Sequence, residues 1–172
     1  TQLGRLLHHP GPAPEAGRED IWNEKQSVMR RLIRERDYRK AYQLAAGHGL
    51  AEGEAFRDAE WTAGWLALSK LNDAAQAETH FRTFGAGVTT PISLARAHYW
   101  LGEALTAQKR AAEAQAAYAE AAKYPYVFYG QLAAEKVRQE TPGGAIKLGF
   151  PPGVAPTHDE RAAFARKPVV RA

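Results

Sequence analysis

The chain of 172 residues has no cysteine, a single methionine, and no apolar run approaching the roughly 20 residues that cross a bilayer. The lack of cysteine excludes disulfides and thiolate metal sites. It leaves the compartment open, since a periplasmic protein can do without cysteine as readily as a cytosolic one. The lack of a long apolar run excludes a membrane-spanning helix. Because the first residue is Thr1 rather than methionine, any signal peptide is expected to have been removed or to lie outside this chain. Valine and isoleucine are also scarce, whereas alanine is abundant. Alanine loses no side-chain entropy on entering a helix, and its small volume lets helices approach closely. The expected class is all-α, and the length suffices for one domain or a short run of stacked repeats.

Charge is moderately unbalanced, at +4 with histidine neutral, which favours weak attraction to anionic polymers. The densest basic segment is Lys25, Arg30, Arg31, Arg34, Arg36, Arg39 and Lys40, interrupted by Glu35 and Asp37. These residues alternate at helical spacing with Val28, Leu32 and Ile33, which reads as the solvated face of an amphipathic helix. His8, His9, His48, His80, His98 and His158 have no partner at a recognised metal-ligand spacing. The glycines form neither a P-loop nor a dinucleotide fingerprint, and no Gly-x-Ser-x-Gly elbow occurs. No cofactor is implied.

Four parts follow along the chain. Residues 1–14 read as the end of an upstream helix, Leu3 to Leu7, and a Pro-rich loop. Residues 15–140 read as stacked helical hairpins. The first has a helix capped by Asp20 and reaching about Arg36, with a partner from Tyr38 to Ala46 that ends at Gly47 and Gly49. The second pairs Glu54–Leu71 with Ala74–Phe84, turning at Asn72 and Asp73 and ending at Gly85 and Gly87. The third starts at Thr90 as N-cap with Pro91 at the first helical position, runs to Ala107, turns at Lys109 and Arg110, and returns to Lys123. Ala41, Ala77 and Ala114 are equivalent, at offsets of 36 and 37, a period that predicts a right-handed superhelix of tetratricopeptide-like antiparallel hairpins. A seventh helix is expected over residues 127–140. Residues 141–156 form a Pro/Gly-rich linker. Residues 157–172 start a further helical segment, with Thr157 and Glu160 as a capping box.

Catalytic chemistry is hard to find in these residues. Cleavage of a glycan by general acid catalysis needs a carboxyl group with a raised pKa in a shaped cleft. Glu60 and Glu103 lie on helices beside aromatic residues, but the ordinary reading of both is a solvated or paired flank carboxylate. Trp22, Trp61, Trp65, Tyr99 and Trp100 have the spacing of core aromatics. In the cluster Tyr124, Tyr126, Phe128 and Tyr129 some rings must lie near the surface.

Two segments are more particular: Ser93-x-Ala95-Arg96-x-x-Tyr99-Trp100-x-Gly102, and Phe128-Tyr129-Gly130-Gln131-Leu132. At this separation they resemble the superhelical domain of soluble lytic murein transglycosylases. His8-His9-Pro10, the segment 42–49 and the segment 59–67 resemble the same domain in order and spacing. The resemblance implies a periplasmic protein that processes peptidoglycan. The parent activity would be non-hydrolytic cleavage of murein to 1,6-anhydromuropeptides, with the helices supporting a C-terminal catalytic domain. It also implies Arg96, Tyr99, Trp100, Phe128, Tyr129, Gly130 and Gln131 as structural motif residues and candidate glycan contacts. In that family the catalytic glutamate lies in a Glu-Ser pair followed by Gly-Leu-Met-Gln. This chain has no Glu-Ser pair, and its one methionine, Met29, follows Val28. The chain alone is therefore expected to be inactive, with no catalytic residue and no metal. Its expected partners are peptidoglycan strands or stem peptides and the parent's catalytic domain. The competing reading is a free-standing tetratricopeptide-like adaptor that holds a peptide in its concave face. A nucleic-acid reading has only the charge of residues 25–40 behind it, and no nucleic-acid partner is expected.

Overall fold

The computed structural model describes Gly4 and residues 15–140 and 157–166. Among the described residues it is all-helical, with eight helices: α1 Glu15–Arg34, α2 Tyr38–Ala46, α3 Gly53–Leu71, α4 Ala74–Ala86, α5 Pro91–Ala107, α6 Ala111–Ala122, α7 Phe128–Glu140 and α8 His158–Ala165. Apart from Gly4, which is helical, the predicted helix at residues 3–7 lies outside the described residues. So does the predicted linker at 141–156. One start differs from expectation. The first helix begins at Glu15 rather than at an Asp20 cap: Pro14 is the last breaker before it, and proline is tolerated ahead of a helix but not within it. Helix α8 carries the expected capping box, with Thr157 accepting from the Glu160 N–H and Glu160 accepting from the Thr157 N–H. No helix among the described residues is long and apolar enough to cross a membrane.

The predicted period reappears in the backbone of the turns. Arg36, Asn72 and Lys109 all take positive φ, at 62°, 55° and 60°, each just past the first helix of a pair. In the first and third turns the bonds are those of a Schellman cap. Arg36 and Asp37 donate to Ile33 and Leu32, and Lys109 and Arg110 donate to Thr106 and Leu105. The second turn is wider, with the N–H of Asp73 reaching back to the Ala67 carbonyl. The next helix is then capped by Asp37 or Asp73, whose carboxylates accept from the N–H of Lys40 and Gln76. The left-handed positions are thus held by residues with a Cβ. The glycines expected to end α2 and α4 behave otherwise: Gly47 and Gly87 have negative φ, Gly85 lies inside α4, and only Gly49 of the four is left-handed.

Helices adjacent in the chain pack on one another from α1 to α7, and α5 also touches α7. Close approach within a pair depends on a glycine facing an aromatic ring. A Cβ at Gly64 would lie 2.6 Å from Phe81, and one at Gly102 would lie 2.5 Å from Tyr118. The first pair reverses the sizes, placing Met29 and Ala45 at the equivalent sites, both buried in one core cluster. Burying a ring such as Phe81 contributes about 1.5–3 kcal/mol, so each large-small match decides how tightly its pair closes. Around these contacts the core is mostly alanine, with Ala41, Ala63, Ala77, Ala104 and Ala121 fully buried.

The basic segment separates into two environments. Arg30, Arg31, Arg34, Arg36, Arg39 and Lys40 are exposed, as the amphipathic reading expects. Lys25 is not solvated. It is buried at 3% exposure, and its ammonium donates to the Gly47 carbonyl at the end of α2. Burial lowers its pKa. Lys25 lies on the α1 stripe that packs against α2, so its charge meets the carbonyl end of a helix, where a cation is favoured.

Candidate functional site

Helix α5 starts where sequence predicts, with Pro91 at its first position and Thr90 Oγ1 accepting from the Ser93 N–H. That start places Arg96 and Trp100 four residues apart, on one stripe of the helix. On α3 the pair Trp61 and Trp65 has the same spacing. The two stripes meet. The Arg96 guanidinium carbon lies 3.5 Å from the centre of the Trp61 ring, and Trp61 meets Trp100 edge-on at 6.1 Å. Trp61 and Trp65 lie parallel within 15° at 6.5 Å.

Helix α7 adds the second motif. Tyr129 packs at 5.4 Å from Tyr99 and 6.4 Å from Trp100. Gly130 is buried, and a Cβ there would lie 1.9 Å from the backbone carbonyl oxygen of Tyr124, so this turn closes only around glycine. The structure therefore brings Arg96, Tyr99, Trp100 and Tyr129 together. Phe128 touches Tyr129 at 5.2 Å but is 67% exposed. Gln131 is exposed and donates its backbone N–H to Val127. Of the tryptophans assigned to the core, Trp22 is buried, whereas Trp61, Trp65 and Trp100 are half-buried. The expected surface rings are Tyr126 and Phe128.

The polar atoms of this aromatic layer are poorly matched. Trp61 Nε1, Arg96 Nε and Trp100 Nε1 are all buried without a hydrogen-bond partner. Burial lowers the pKa of Arg96, opposed by the Tyr129 hydroxyl and by the charge of Asp58. No carboxylate among the described residues forms an ion pair with it. Burial also pushes the Tyr99 hydroxyl up to about 12, reinforced by Glu103. The site thus has rings and donors but few acceptors. No family model, curated protein or solved structure matches the chain. What the site does must be read from its own residues.

A second polar cluster was not visible in sequence, because its members come from α2, α3, α4 and a loop. Glu60, 7% exposed, accepts from two imidazoles: His48 Nε2 at 3.0 Å and His80 Nδ1 at 2.7 Å. An ionised carboxylate only accepts, so both facing nitrogens carry hydrogen. His48 Nδ1 in turn accepts the Leu50 N–H at 2.9 Å, and His80 Nε2 meets the Tyr42 hydroxyl at 3.1 Å. Burial alone would raise the Glu60 pKa, but the two imidazole donors overcome it and hold the carboxyl at about 2. A general acid needs the opposite shift. Tyr42 is not activated either, since burial raises its pKa, with Asp73 and Glu60 adding to the effect. The cluster joins helices; its geometry does not serve acid catalysis.

Glu103, the other carboxylate singled out in sequence, accepts from Tyr118 Oη at 2.7 Å and pairs with Lys136 at 2.7 Å, linking α5, α6 and α7. Among the described residues no group of three or more histidine, aspartate or glutamate side chains is arranged to hold a metal. A cavity of about 310 Å³ opens between α1 and α3, lined by Trp22, Asn23, Gln26, Glu54, Ala55 and Asp58. Gln26 and Asp58 in its wall hydrogen-bond to each other at 2.5 Å.

Proposed function

We propose that this chain is the non-catalytic helical scaffold of a soluble lytic murein transglycosylase. In this reading its hairpins form a right-handed tetratricopeptide-like superhelix in the periplasm. It supports the parent's lysozyme-like catalytic domain and contacts murein with its aromatic layer. The observation that carries the reading is the meeting of the two family-like segments: Tyr99 and Trp100 of the first lie against Tyr129 of the second. Arg96 of the first segment stands on Trp61 of the preceding pair, within the segment 59–67 that carries part of the same resemblance. The low pKa of Glu60 and the Lys136 pairing of Glu103 support a non-catalytic role.

Incubation of the purified chain with murein sacculi tests this. The chain is expected to sediment with the sacculi and to release no 1,6-anhydromuropeptides. Release of such products by the chain alone would overturn the scaffold reading, and failure to sediment would overturn murein contact.

A further inference from the structure

The basicity of the chain is gathered in one place. Residues 30–40 hold six cations and two carboxylates, an excess of four that equals the net charge of the whole chain, so the remaining residues are balanced. This span is the end of α1, the connecting turn and the start of α2. Arg30, Arg31, Arg34, Arg36, Arg39 and Lys40 are all exposed. Glu35 pairs with Arg31 at 3.9 Å and Asp37 with Lys40, whereas Arg30, Arg34, Arg36 and Arg39 make no ion pair among the described residues.

Folding stability does not account for this crowding. Arg34 is favoured at the carbonyl end of α1, but Arg30 one turn earlier repels it. Arg36 takes the left-handed conformation, at φ 62°, which a glycine would adopt at lower cost. Arg39 and Lys40 lie in the first turn of α2, where the helix dipole disfavours cations. Packing then brings in a further cation from the second pair. Lys70, in the last turn of α3, lies 5.4 Å from the ring centre of Tyr38 at the start of α2 and makes no ion pair among the described residues. The patch thus reaches across two hairpins, and like charges gathered this way raise a positive field that an anionic partner relieves.

We infer that the turn between α1 and α2, with Lys70 beside it, is a docking surface for an anionic phospholipid bilayer. The planar fork of arginine matches phosphate oxygens, and four or more clustered cations are the footprint of electrostatic attraction to anionic lipid. The geometry favours a bilayer over a nucleic acid. A duplex is read by a helix or ribbon laid along its groove, and a single strand by exposed rings on which bases stack. Here the cations stand around a turn between two helix ends, and the ring among them, Tyr38, is half-buried with Lys70 over its face. A flat field of headgroups asks only for exposed charge on a protruding turn. Attachment through charge alone is reversible and screened by salt. Such docking does not depend on the scaffold reading.

The test is co-sedimentation of the whole chain with vesicles of phosphatidylcholine, with and without phosphatidylglycerol. Binding to the phosphatidylglycerol vesicles that falls steeply from low to high salt is expected, with none to phosphatidylcholine alone. Each cation near the surface contributes about 5-fold, so Arg30→Gln combined with Arg39→Gln should weaken binding by about 20-fold and Arg36→Gly by about 5-fold. Arg161→Gln combined with Arg166→Gln removes the same charge from α8 and its cap and should weaken binding by less than about 3-fold. All five positions are exposed, and circular dichroism checks the fold. If Arg36→Gly alters it, the Arg30→Gln/Arg39→Gln variant carries the test. Equal binding to phosphatidylcholine, unchanged binding of the folded Arg30→Gln/Arg39→Gln variant, or an equal loss in the α8 control would each overturn the surface. Tighter binding of a single-stranded or duplex oligonucleotide, at equal phosphate and salt, would overturn it in favour of nucleic acid.

Discussion

Glu60 and Trp61 are neighbours on α3, yet they belong to opposite kinds of interior. At Glu60 each carboxylate oxygen accepts from one imidazole, and each imidazole has a second partner, the Leu50 N–H for His48 and the Tyr42 hydroxyl for His80. At Trp61 three buried donors have no acceptor, and the Arg96 cation among them has no ion pair, only the Tyr129 hydroxyl and the charge of Asp58 nearby. A matched network gains from every member and is best left closed. An unmatched one holds its geometry through ring packing, and its sealed donors gain nothing from hydrogen bonding. The difference lies between adjacent residues of a single helix.

Removing a charge should therefore have opposite consequences in the two regions. Glu60→Ala leaves two buried N–H groups without an acceptor and should cost about 3 kcal/mol in chemical denaturation. A loss below about 1 kcal/mol would show that the cluster is not the matched network described. The same carboxylate sets an acid limit. Because its pKa falls from 4.5 to about 2 on folding, its contribution is complete above 4.5 and is lost as pH falls toward 2. Denaturation midpoints measured from pH 5 to 2 should drop for the native chain, and this component of the drop should vanish in Glu60→Gln.

The glycine-to-ring contact of the third pair supplies an intermediate case in which packing alone is at stake. Gly102→Ala forces the Tyr118 ring away from its place, together with the hydroxyl that Glu103 and Thr106 hold. We expect a loss of about 1–3 kcal/mol, partly recovered by adding Tyr118→Leu. No loss in thermal unfolding would mean that the pair does not close on this glycine.

Arg96→Met sharpens the comparison from the other side. It removes an unpaired, half-buried charge and puts an apolar chain of similar reach on Trp61, at the expense of the cation–π contact. The net change in stability should stay within about 1 kcal/mol and can be favourable. A destabilisation as large as that of Glu60→Ala would make Arg96 a structural residue and place both regions in one class. The smallest effect belongs to the turns, outside both regions. Lys109→Gly relieves a left-handed Cβ at the third turn and should stabilise by about 0.5–1 kcal/mol, as a denaturant midpoint would record.

Much of the fold was legible because its signals are local. Thr90-Pro91 and the Thr157/Glu160 pair each act within one helical turn and took the expected roles, and Asp73 stands at the expected turn; the capping by Asp37 and Asp73 was not expected. The turn positions also kept the expected period. Glycine was a poorer guide: left-handed geometry fell on Arg36, Asn72 and Lys109, where the closing helix pair imposes it against local preference. The motif residues Arg96, Tyr99, Trp100 and Tyr129 were named in advance; their partners Trp61 and Trp65 were read as core aromatics, and Lys70 was not singled out. Nothing in the spacing of residues 61, 70 and 96 says that α3 and α5 present their aromatic stripes to each other.

The sequence by itself determined which segments are helical, where they stop, and that they repeat, because caps, propensities and apolar period act over a few residues. The tertiary structure alone decided that Lys25 is buried, that Glu60 lies between His48 and His80, and that Arg96 stands on Trp61 without a carboxylate partner. Those outcomes depend on which helix faces meet. A charge in a helical pattern looks the same whether the facing helix offers it a partner, an aromatic ring or water.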